Sequence, residues 1–137
     1  MTDLYKNKAF AEVADKAKLT DADLCKAAKL TIGYIKAGDP RGMVGKNLYK
    51  VRVARPGAGK SGGARTVLTT AVGKDVFFIY CYPKNTVSAK GGGPEIAEST
   101  IKTLEAQSGK FLGFNAAQLA TAAAAGIIIK VNCNGLC

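Results

Sequence analysis

The chain contains no histidine and no tryptophan among its 137 residues. Without histidine it can assemble no Ser-His-Asp or Cys-His nucleophile, has no imidazole general acid or base, and forms no His-containing metal site. Carboxylates are also scarce: 10 Asp and Glu stand against 20 Lys and Arg, a formal charge of +10. Long apolar runs are missing too. The most apolar stretch, Ala116 to Ile129, is broken by Gln118, Thr121 and Gly126, and the N-terminal Met-Thr-Asp-Leu-Tyr-Lys-Asn-Lys has no apolar h-region. Neither a membrane span nor a signal peptide is expected, and a cytoplasmic protein is. The four cysteines do not form a ligand set. Cys25 and Cys81 lie in apolar stretches and read as small core residues, while Cys133 and Cys137 share a C-x3-C spacing with no His or second Cys pair nearby. No metal is expected, and all four read as free thiols of a reducing cytosol.

What is present points to one folded domain over 1–137. Its length lies at the mode of single-domain sizes, and its 47% hydrophobic and 22% charged residues are those of a folded chain. The charge is segregated. Residues 1–39 carry +1 and residues 91–137 carry zero, whereas residues 40–90 carry +9. That middle segment holds Arg41, Lys46, Lys50, Arg52, Arg55, Lys60, Arg65, Lys74, Lys84 and Lys90 against Asp75 alone. A solvated basic face does not require such segregation, and a phosphate-bearing partner does.

Periodicity supplies the elements. Leu4 to Lys6 reads as a short strand, and Phe10, Val13, Ala14 and Ala17 give a helix over about Ala9 to Lys18. Thr20 and Asp23 have the spacing of a capping box for a second helix, which Gly38-Asp39-Pro40 ends. From Asn47 the period becomes two: Tyr49, Val51 and Val53 share one face, and Leu48, Lys50, Arg52 and Ala54 the other. A Gly-rich loop, Arg55 to Gly63, leads to a strand over Ala64 to Val72. Gly73-Lys74 turns into the nearly continuous apolar strand Asp75 to Tyr82. The expected fold is α+β: a small antiparallel meander covered by two N-terminal helices, with a core over 1–90. Residues 91–137 read as a helical C-terminal extension. There Pro94 opens one helix, Asn115 opens an alanine-rich second helix that Gly126 ends, and Ile127 to Val131 is an edge strand or docking segment.

Ala54-Arg-Pro-Gly-Ala-Gly-Lys-Ser61 nearly spells a phosphate-binding G-x-x-x-x-G-K-[ST] loop, but Ala54 replaces its first glycine and a strand follows where a helix N-terminus is needed. No nucleotide cofactor is expected. A Gly-rich loop carrying Lys60 between cationic strands can still bring main-chain amides close to an RNA or DNA backbone.

Leu48-Tyr-Lys-Val-Arg-Val-Ala, Gly59-Lys-Ser-Gly-Gly-Ala-Arg65 and Phe77-Phe-Ile-Tyr-Cys-Tyr-Pro-Lys-Asn85 together resemble the RelE/HigB branch of the RelE/ParE superfamily, toxins of bacterial type II toxin–antitoxin systems. The resemblance covers about residues 3–90. It implies a RelE-like fold and a protein partner, the cognate antitoxin. It also implies an endoribonuclease acting in the ribosome, which cleaves mRNA by 2′-hydroxyl attack on the adjacent phosphate and so inhibits translation. By position, Lys50, Arg52, Arg65 and Lys84 match the catalytic cations. Lys46, Arg55, Lys60, Tyr80 and Tyr82 are candidate RNA contacts, with a core position the open alternative for the two tyrosines. Such cleavage suits a chain without histidine, because Lys and Arg can stabilise the charge of the phosphorane. The chain departs from the pattern at Ala64, at Asn85, and at Gly91-Gly92-Gly93, where relatives carry an aromatic, an arginine and a tyrosine. Two other readings fit the same cations: a ParE-like gyrase inhibitor and a non-catalytic nucleic-acid-binding regulator.

Overall fold

In the computed structural model, which describes residues 3–53, 64–71, 73–83 and 96–133, with 82 and 83 as backbone alone, most element ends follow from local signals. Strand β1 (Leu4–Asn7) passes directly into helix α1 (Lys8–Lys16), because the Asn7 side-chain oxygen accepts from the Phe10 amide at 2.8 Å and caps the helix. Helix α1 ends when Lys18 turns left-handed (φ 59), letting the Leu19 amide donate to the Ala14 carbonyl. Helix α2 (Asp21–Lys36) opens on the Thr20 and Asp23 capping box, with reciprocal bonds of 3.2 and 2.9 Å. It closes at Gly38 (φ 72).

Strands β2 (Met43–Gly45), β3 (Leu48–Val53), β4 (Ala64–Thr69) and β5 (Val76–Pro83) follow, then helices α3 (Glu98–Leu112) and α4 (Ala116–Ala124) and strand β6 (Ile128–Val131). The sheet order is β2-β3-β4-β5-β1-β6. Strands β2 to β5 form an antiparallel run. The whole sheet is not the simple meander that the sequence suggests, because β1 inserts parallel to β5 and β6 pairs antiparallel on the far side of β1. The physical reason is burial on both faces. Leu4 packs in one core and Tyr5 against the other, and β5 is apolar on both sides, so both strands belong inside a sheet rather than at its edge.

Two cores result. On one face α1 and α2 bury Phe10, Ala14, Leu24 and Ala28 against Val51, Val53, Leu68 and Phe78. On the other, Leu104 and Phe111 of α3 and Ala122 of α4 pack with Leu48, Val67, Phe77 and Ile128. Within that second core Phe77 stacks between Tyr5 and Phe111, each at 5.3 Å between ring centroids. The Thr69 and Ser108 hydroxyls hydrogen-bond each other, tying β4 to α3. Among the described residues no helix is long and apolar enough to cross a membrane.

The reading of free thiols fails for two of the cysteines. Cys25 in α2 and Cys133 just past β6 form a disulfide across a sequence separation of 108, with Cα atoms 5.7 Å apart. The pairing arises because β6 returns alongside β1 and delivers the chain to the first turn of α2, where Asp21 also accepts the Asn132 amide at 2.9 Å. Linear spacing could not show that approach. Cys81 is the free, buried thiol among the described residues, and Cys137 lies outside them.

Candidate nucleic-acid interface

The antiparallel register of β3, β4 and β5 builds the site. Leu48, Thr69 and Phe77 form one cross-strand row, Lys50, Val67 and Tyr80 the next on that face, and Arg52, Arg65 and residue 82 the last. The first row lies beneath α3 and is sealed. Along β3 the same face then opens, from fully buried Leu48 through half-buried Lys50 to exposed Arg52. The sequence pattern makes this gradient: one apolar residue, then two cations, at every second position of a strand.

Arg52 and Arg65 occupy directly opposed positions, which holds their Cβ atoms roughly 5 Å apart. Like charges so placed repel, and a bound anion removes that cost. Arg65 is half-buried, and its Nε is a buried donor without a partner. A desolvated and unused donor is costly, and Arg65 stands there despite that cost. Asp75, the single acid of the cationic segment, is occupied elsewhere: its Oδ1 accepts the Asp3 amide at 3.1 Å.

The other sequence candidates fall differently. Tyr80 stands opposite Val67, half-buried and packed against the second core, so its ring borders the cationic face and supports the core as well. Residue 82 has the register position opposite Arg65. Lys46 is not brought to the site. It is exposed in the β2–β3 turn, where its amide donates to Glu105 of α3 at 2.9 Å, before the start of β3 at Leu48, whereas Arg52 is near the other end of that strand. Arg55, Lys60 and Lys84 lie outside the described residues. Among the described residues no cluster of metal-ligating side chains occurs.

Sequence reasoning missed Asn7. Its buried side chain donates to the Ile79 carbonyl of β5 at 3.3 Å while capping α1. A lone polar residue at the end of a short strand was the only local sign of it.

Comparison with known proteins returns no match among the curated proteins and none among the solved structures. A family model does match, described as RelE toxin of RelE / RelB toxin-antitoxin system, over residues 2–131. With nearly the whole chain matched, and with the cationic strands β3 and β4 side by side in a mixed six-stranded sheet, the protein belongs to the RelE toxin family and has an antitoxin as its partner.

Proposed function

We propose that this toxin, of the RelE/HigB branch, is a ribosome-dependent mRNA endonuclease and inhibits translation by cutting mRNA in the cytoplasm. The observation that carries the reading is the Arg52–Arg65 row with Lys50 one row behind it, on the face that α3 seals at its other end, with Arg52 exposed. Arg65 and Arg52 hold the non-bridging oxygens of the scissile phosphate while the 2′-hydroxyl oxygen attacks phosphorus. Their contribution grows as negative charge accumulates in the phosphorane. Lys50 takes a neighbouring phosphate, and Lys84, matched by its position in the sequence, completes the set of cations carried over from the family. Cleavage leaves a 2′,3′-cyclic phosphate upstream and a 5′-hydroxyl downstream. The antitoxin neutralises the toxin by covering this basic face.

The test is expression without antitoxin, followed by primer extension on mRNA from a translating extract. Discrete cuts with 5′-hydroxyl ends, dependent on ribosomes and lost in Arg65→Gln, are the expected result. DNA breaks with loss of supercoiling and intact mRNA overturn the reading in favour of gyrase inhibition. Salt-sensitive RNA binding without cleavage leaves a regulator.

A further inference from the structure

Three elements meet at Asn7: the end of β1, the start of α1 and the middle of β5. We propose that Asn7 is a positioning residue for the cationic face, because its amide anchors the β-bulge that turns over the second half of β5. Val67 and Leu68 are consecutive on β4, yet they pair with Tyr80 and Phe78, so Ile79 is an extra residue in β5. An inserted residue reverses the alternation of everything beyond it. Before the bulge, Phe77 belongs to the α3 face and Phe78 to the α1 and α2 face. Unbroken alternation from there would put Tyr80 beneath α1 and α2 and set Cys81 opposite Arg65. Instead Cys81 is buried in the α1 and α2 core, and Tyr80 packs with the second core opposite Val67. Residue 82 takes the position opposite Arg65. The aromatic border of the cationic face therefore exists because of one extra residue.

A bulge leaves main-chain groups without ladder partners, and a buried carbonyl so left is costly. Asn7 resolves this at Ile79: Nδ2 donates to that carbonyl at 3.3 Å across 72 residues of sequence, and the residue is only 8% exposed. Its Oδ1 takes the Phe10 amide at the same time. One planar amide thus fixes the start of α1 against the bulge, using acceptor and donor on different elements.

That division of labour makes the proposal testable, and its functional arm rests on the RNA-binding reading above. Asn7→Asp keeps the capping acceptor, since Asp and Asn cap equally well, and removes the donor. The full chain labelled with 3-fluorotyrosine is examined by ¹⁹F NMR, the Tyr80 resonance being assigned with Tyr80→Phe. Affinity for a short fluorescent single-stranded RNA is measured in parallel on Asn7→Asp and Arg65→Gln. Expected are a displaced Tyr80 resonance, an unmoved Tyr34 resonance, unchanged helical circular dichroism and RNA affinity lower by about fivefold. A Tyr80 resonance that stays in place overturns the proposal. So does a displaced resonance with unaltered affinity when Arg65→Gln does bind more weakly. If the resonance moves and neither variant changes RNA affinity, the anchoring role stands and the RNA-face reading is what fails. Should Asn7→Asp not fold, the uncharged Asn7→Ser is read by the same criteria.

Discussion

Arg52 and Arg65 stand opposite each other on adjacent antiparallel strands, so the sheet sets two arginines in one cross-strand row. Directly opposed like charges cost stability. Arg65→Gln is therefore expected to leave the protein as stable as before or more so, by up to about 1 kcal/mol, while weakening RNA binding roughly tenfold or more. The slope of log affinity against log salt falls by about 1. Thermal melts and a salt titration of binding read the two effects separately. Unchanged RNA affinity would remove Arg65 from the site.

Gly42 controls the placement of Lys50 from behind. Its carbonyl accepts the Lys50 amide at 2.7 Å, and at its φ of +80 an added Cβ would lie 2.8 Å from the Lys50 carbonyl oxygen. Gly38 has a similar φ of +72 but open space around it. Gly38→Ala thus carries only the backbone strain, about 1 kcal/mol, whereas Gly42→Ala adds a main-chain clash for about 2 to 3 kcal/mol in all. Gly42→Ala is expected to melt several degrees below Gly38→Ala and to lose RNA affinity as the β2–β3 ladder shifts. Equal melting temperatures for the two variants would count against this account.

These two sites differ in how far the sequence disclosed them. The alternation of Leu48, Lys50 and Arg52 was legible, because a strand's side-chain period is local, and so was the Thr20 and Asp23 capping box. The run of β3, β4 and β5 followed from short connections. What linear pattern could not show was long-range pairing: β1 inserted beside β5, the bulge at Ile79 and the Cys25–Cys133 bridge. Charge counting likewise marked Lys46 along with Arg52 but had no means of telling that Lys46 sits in the turn before β3 and Arg52 near the far end of that strand. Asn7 was illegible for the same reason, since its second partner is 72 residues away.

The Cys25–Cys133 disulfide ties the end of β6 to α2 and closes nearly the whole chain into a loop. Constraining so long a loop in the unfolded state stabilises by about 2 to 4 kcal/mol, roughly 10 °C in melting temperature for a domain of this size. Adding dithiothreitol is expected to lower the melting temperature of the native chain by about that much and to leave Cys133→Ser unaffected. A peptide map of the unreduced protein supplies the direct check. Native Cys25 and Cys133 both alkylated by iodoacetamide would contradict the bridge.

Cys81 gives a pH signature of the bulge's inner side. Burial among Val51, Leu68 and Phe78 pushes its thiol up from 9.0 to about 11. The unfolded chain releases this proton near its ordinary value, so between about pH 9 and 11 the native state binds the more protons and its stability falls as pH rises. Below that window the thiol contributes no pH dependence. Tyr5, raised chiefly by desolvation and also by Asp3 and Asp75, acts in the same direction at higher pH. Cys81→Ala removes only the thiol's part. The stability difference between native chain and Cys81→Ala is therefore expected to be constant from pH 6 to about 8 and to move in favour of the alanine variant towards pH 10.5. Urea denaturation at those pH values measures it. A difference that stays flat across the whole range would mean that Cys81 is not desolvated, and that the alternation placing it beneath α1 and α2 is wrong.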